Sequence, residues 1–150
     1  MNYYTKEWYK NGCKRLDNQN EYLQLFDTYK DKLPQWYDDK FSLHDNKIIS
    51  AEYQKSADSE QTLTLNMDYS GGFDTVSAMT FENCTILEDA PLENSWCIAD
   101  EMYLQDNGMI EFHLLLQNFQ QKSDDNLFYF TVLCEKIDCA KGEYITDEDM

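Results

Sequence analysis

Residues 98–116 read IADEMYLQDNGMIEFHLLL, and this stretch decides the fold class. Two apolar-rich runs, Ile98 to Leu104 and Met109 to Leu116, flank Asp106-Asn107-Gly108. Asn and Gly tolerate positive φ, the geometry a tight hairpin turn demands, so the stretch predicts two antiparallel strands. The same period continues on both sides. Upstream, Ile48, Ile49, Ala51 and Tyr53 suggest a strand, and Leu63, Leu65 and Met67 alternate as another, followed by a turn at Ser70-Gly71-Gly72. Val76 to Phe81 and Thr85 to Leu87 read as one strand broken at Glu82-Asn83. Pro91-Leu92 marks a connection, and Leu127 to Leu133, aromatic and β-branched, reads as an interior strand.

The first forty residues carry a different period. Thr5 before Lys6-Glu7-Trp8-Tyr9-Lys10 reads as the N-cap of a short helix that Gly12 weakens or ends, with Tyr4, Trp8 and Leu16 on one face. Tyr22, Leu25, Phe26 and Tyr29 recur at helical spacing, capped by Asn18 or Asn20 and stopped before Leu33-Pro34. Pro34 to Asp38 opens a third turn. The expectation is one α+β domain over 1–150, with a helical segment at 1–40, a roughly six-stranded antiparallel meander sheet at 41–140 and an acidic tail at 141–150. The helices should pack on one face of the sheet, because connections this short exclude βαβ crossovers.

Charge bounds the partners. The chain holds 12 basic and 29 acidic residues, a net charge of −17. Residues 1–40 balance, so the whole imbalance lies in 41–150. Such a field repels phosphate, which argues against nucleic acid and anionic membrane and favours a basic protein partner. An aromatic content of 15% is too high for a disordered chain. The absence of an N-terminal apolar stretch, and of any apolar run of membrane-spanning length, leads to an expected cytoplasmic address. With it goes the expectation that Cys13, Cys84, Cys97, Cys134 and Cys139 are all reduced.

Several stretches invite chemistry. His44-Asp45 after Phe41-Ser42-Leu43 could pair a base with an orienting acid, and His113 could join them at one transition metal. The alternative is a loop histidine that fixes the helix-to-sheet junction. Asp68-Tyr69-Ser70-Gly71-Gly72-Phe73-Asp74 lacks the Lys and following helix of a phosphate loop and reads as a turn. Glu82, Glu88, Asp89, Glu93, Asp100 and Glu101 could supply paired carboxylates, with Trp96 as a sugar platform, although close acid pairs follow from number alone and a buried Trp96 explains itself. Neither a nucleophile elbow nor a Cys in a basic setting is present, and no cofactor is expected.

Tyr3-Tyr4-Thr5-Lys6-Glu7-Trp8-Tyr9, Leu43-His44-Asp45-Asn46-Lys47-Ile48 and Asp68-Tyr69-Ser70-Gly71-Gly72-Phe73 together resemble an uncharacterised bacterial family, domain of unknown function 4085, over roughly residues 1–90. The resemblance implies a bacterial, cytoplasmic protein without assigned activity, and it brings no catalytic residues. The layout is also similar to the small acidic immunity proteins that neutralise bacterial toxins, an analogy of fold and charge. Two functions follow as expectations. The first is a non-enzymatic interaction module whose acidic binding surface includes Asp100 and Glu101. The second is a metal-assisted hydrolase built on His44, Asp45 and His113.

Overall fold

The computed structural model describes residues 1–13, 19–37, 43–72, 74–122 and 124–143. Leu16, Asn18, Asp38, Phe41, Ser42, Phe73 and most of the expected acidic tail lie outside the described residues. Thr5 caps α1 (Lys6–Lys10) as its sequence predicts, its hydroxyl accepting from Trp8 N–H at 3.2 Å. The chain leaves that helix through Gly12 at φ +82°, a conformation glycine adopts without penalty. Helix α2 (Gln19–Tyr29) runs into a single 3₁₀ turn, η1 (Lys30–Lys32). Asn20 stands inside α2 rather than capping it. Of its apolar stripe Tyr22, Phe26 and Tyr29 are buried, whereas Leu25 points to solvent. Pro34 closes a tight turn that accepts from Tyr37 N–H at 3.0 Å.

The sheet contains eight strands rather than six: β1 (Lys47–Lys55), β2 (Gln61–Asp68), β3 (Val76–Glu82), β4 (Thr85–Glu88), β5 (Trp96–Leu104), β6 (Ile110–Gln117), β7 (Leu127–Cys134) and β8 (Lys136–Lys141). Two causes account for the difference. Asn83, at φ +48°, splits the third run into β3 and β4. β8 escapes the sequence reading because Ile137 is its only fully buried side chain.

The order β4-β7-β6-β5-β1-β2-β3-β8 corrects the meander. β1-β2-β3 and β5-β6-β7 are each meanders, joined antiparallel. Glu82 pairs with Lys136 and Thr85 with Leu133, while Glu135 N–H donates to the Glu82 carbonyl at 3.0 Å between them. Register continues across the break, so β3-β4 behaves as one bent strand lying along another, β7-β8. The sheet therefore closes on itself. Phe81 of β3 and Phe112 of β6, not sheet neighbours, meet inside it with ring centroids 5.6 Å apart.

Closure is uneven. β1 meets β5 at one register pair, Lys47↔Trp96, at the start of both strands, with main-chain bonds around Ile48, and from there the two antiparallel strands run in opposite directions. Aromatic side chains from the N-terminal region cover the edge of β5 beyond that pair. Tyr22 OH accepts from Met102 N–H at 3.1 Å, and Tyr29 OH donates to the Met102 carbonyl at 2.8 Å. Tyr37 reaches in to stack edge-on against Phe112.

Candidate functional site

The acids expected on a binding face lie inside the molecule. Asp100 is 4% exposed and Glu101 0%. Neighbouring residues of a strand point to opposite sides, yet both are covered. Asp100 shares the inner face with Leu114 and Phe130, and its Oδ1 accepts from Tyr37 OH at 2.5 Å. Burial and the adjoining Asp100 carboxylate hold the Tyr37 phenol well above its usual pKa. Glu101 occupies the outer face, opposite His113 and beneath the first residues of the chain. Its oxygens accept from Asn2 N–H at 3.2 Å, Tyr3 N–H at 3.3 Å and Tyr4 N–H at 3.0 Å, and from Tyr103 OH. A carboxylate with four donors is saturated and pins the N-terminal segment to the sheet. Neither acid can meet a partner without unfolding its surroundings.

His113 belongs to the same cluster. Nε2 lies 2.8 Å from Glu111 Oε1, and Nδ1 lies 3.1 Å from Thr131 Oγ1 and 3.4 Å from the Met1 amine. Burial first, and then the Met1 amine, depress its pKa. The ring is thus neutral at pH 7 and held on both nitrogens. His44 sits elsewhere, on the loop entering β1, with Nδ1 2.6 Å from the Ile98 carbonyl and Nε2 3.4 Å from Asp45 Oδ2. This is the junction role: Nδ1–H donates to the β5 carbonyl beside which the loop runs before β1 begins. Asp45 adopts φ +66° and is half exposed. Among the described residues no three His, Cys, Asp or Glu side chains gather as a metal centre. The proposed trio of His44, Asp45 and His113 is therefore not assembled.

The remaining candidates resolve into structure as well. Trp96 is 38% exposed rather than buried, and Lys47 Nζ stands over its ring, 5.5 Å from the centroid. The Asp68–Asp74 stretch is a turn, with Gly72 N–H donating to Tyr69 O at 2.9 Å. A Cβ on Gly72 would fall 1.9 Å from Asn46 Oδ1, so close packing explains that glycine. All five cysteines are free. Burial raises the thiol pKa of Cys84, and pushes that of Cys134 up to about 12; neither is poised as a thiolate. No described helix is long and apolar enough to cross a membrane.

What stays exposed is a different set of acids. Glu52, Asp58, Glu60, Glu88 and Asp89, on the β1–β2 hairpin and around β4, all face solvent. Between residues 48 and 75 the sequence has five carboxylates and a single lysine, Lys55. Lysines elsewhere are neutralised locally: Lys10 by Asp125, Lys30 by Asp27, Lys136 by Asp138 and Lys141 by Asp74. Among the described residues, none of the five hairpin and β4 acids forms an ion pair. Beside them Ile49, Tyr53 and Leu87 are exposed apolar side chains. Burial and the nearby Asp89 raise the Tyr53 phenol's pKa, which places the ring at the acidic β4 end. Of this set the sequence reading singled out Glu88 and Asp89, as candidate paired carboxylates, and passed over Glu52, Asp58 and Glu60, which are scattered singly along the chain.

No curated protein and no solved structure matches the chain. The family model described as "Protein of unknown function (DUF4085)" matches residues 2–122, extending the sequence resemblance through the β5–β6 hairpin, and the chain belongs to that family.

Proposed function

We propose that this protein is a non-catalytic interaction module that presents an acidic face to a basic protein partner. One observation carries the reading: Glu52, Asp58, Glu60, Glu88 and Asp89 are exposed and unneutralised beside exposed Ile49, Tyr53 and Leu87. Carboxylates of one sign steer an oppositely charged partner, and apolar side chains among them supply contact once it docks. The titratable groups that could have run acid–base chemistry, Asp100, Glu101 and His113, are committed to contacts with Tyr37, the N-terminal segment and Thr131. An immunity-type role, with a toxin as the basic partner, is the finer form of the proposal and rests on size and charge.

The test is association kinetics with the partner recovered from the neighbouring gene. Association should slow markedly between about 50 and 300 mM salt, as the Debye length contracts to several ångströms. Glu60→Lys and Asp89→Lys should each slow association more than they speed dissociation. A rate indifferent to both salt and charge reversal would refute the acidic-face reading.

A further inference from the structure

β1 is bare along one side. Past Ile48, whose N–H donates to Ser95 O and whose carbonyl accepts from Asn94 N–H, both at 2.8 Å, the strand pairs among the described residues with β2 alone as far as Lys55. The hydrogen-bond alternation fixes which groups are left over. The Gln61 carbonyl accepts from Cys84 N–H, so Gln61 turns toward the β3–β4 strand, and Leu63 and Leu65 follow it. Thr62 and Thr64 then turn toward β1, where their register partners are Gln54 and Glu52. That leaves the N–H and C=O groups of Ala51 and Tyr53 pointing to the open side.

β5 pairs with β1 only at its own first residue and runs away from it beside the residues that precede β1, and along that stretch its edge is capped. Tyr22 and Tyr29 hydroxyls cap both main-chain groups of Met102, and His44 caps the Ile98 carbonyl. Among the described residues no side chain caps the main-chain groups of Ala51 or Tyr53 in this way. Unpaired strand edges accept further strands. We infer that the open edge of β1, Ala51–Lys55, receives an extended lysine- or arginine-bearing segment of a partner protein as an added strand. This rests on the interaction-module reading and specifies its docking mode.

Charge selects the occupant. A second copy would bring another net −17 and set Glu52, Asp58 and Glu60 against their own counterparts. A basic segment meets those carboxylates favourably. Ile49, 52% exposed, and Tyr53, 48% exposed, border the edge and give alternate side chains of the added strand apolar contact.

The experiment uses full-length protein and a synthetic decapeptide alternating Lys and Val, with a Glu–Val decapeptide as control. At saturating Lys–Val peptide, amide exchange at Ala51 and Tyr53 should slow about tenfold or more, with exchange elsewhere in the sheet unchanged. N-methylation of alternate peptide residues, which removes their donors, should weaken binding about tenfold. Ala51→Pro, tolerated on an edge whose N–H is unpaired, should weaken it by a similar factor; the N-methylated peptide decides the matter if that variant does not fold. Binding that survives N-methylation and leaves Ala51 and Tyr53 unprotected overturns the edge mode while the acidic-face reading stands. No binding of the Lys–Val peptide at about 1 mM, a weak limit of roughly 4 kcal/mol, overturns both. Concentration-dependent dimerisation that protects the same amides without peptide replaces the partner with a second copy and also overturns the inference.

Discussion

The β5–β6 pair and the β1–β2 hairpin carry comparable acids and have opposite fates. In the first, Asp100 and Glu101 are buried under Tyr37 and the residues before α1, every contact spent on holding the fold. In the second, Glu52 on β1 and Asp58 and Glu60 in the turn that follows it stand in solvent. A carboxylate's role is therefore set by what covers its side of the sheet. Buried ones are anchors whose loss unfolds; exposed ones shape a field and cost stability little.

The sharpest way to break this contrast is Glu101→Ala. It orphans the N–H groups of Asn2, Tyr3 and Tyr4 and the Tyr103 hydroxyl together, and should lower stability by about 3–5 kcal/mol in denaturant unfolding. A loss no larger than that of a surface substitution would mean that the N-terminal segment is not pinned as described. Tyr37→Phe removes the donor to Asp100 while keeping the ring against Phe112, and should cost about 1–3 kcal/mol. Its thermal midpoint should fall with no change in secondary structure by circular dichroism.

His113 sharpens the same comparison through pH. Its folded pKa is depressed by burial and the Met1 amine, so the unfolded chain takes up the proton first as pH falls. The contribution of neutral His113 is complete above its unfolded pKa of about 6.5. It is lost as pH falls from there toward the folded value, at no more than about 1.4 kcal/mol per pH unit for one proton. Denaturant midpoints measured from pH 7.5 to 5 should decline, and His113→Gln should flatten that decline. An unchanged slope in the variant would assign the decline to the carboxylates.

The smallest effect belongs to the hairpin. Glu52→Lys with Glu60→Lys should leave stability within about 0.5 kcal/mol of the parent. The same pair should sharply slow association with a basic partner. A large stability loss would show the hairpin acids to be anchors too, and the contrast would collapse.

Much of the local structure was legible in the residues. Thr5 and Gly12 mark the ends of α1, the Asp106–Gly108 turn joins β5 to β6, and the alternation of Leu63, Leu65 and Met67 yields β2 with those three side chains buried. Each is a short-range consequence of dihedral preference or of period, which a few neighbouring residues carry. β8 was illegible because Lys136–Lys141 has one apolar anchor, and its strand character comes from pairing with β3. The two acids expected on a binding surface, Asp100 and Glu101, are buried. Period-2 alternation expects one of Asp100 and Glu101 to face outward, and Glu101 does lie on the outer face.

By itself, then, the sequence determined that helices precede an antiparallel sheet, where the β5–β6 turn falls and the sign of the charge, since all are properties of adjacent residues. Tertiary structure alone decided that the sheet closes through the bent strands β3-β4 and β7-β8, that β1 meets β5 at one register pair, and that the N-terminal segment lies over Glu101 and His113. Burial and edge exposure depend on which distant segments arrive to cover a surface. Residues a hundred positions apart, such as Asn2 and Glu101, settle that only once the chain has folded.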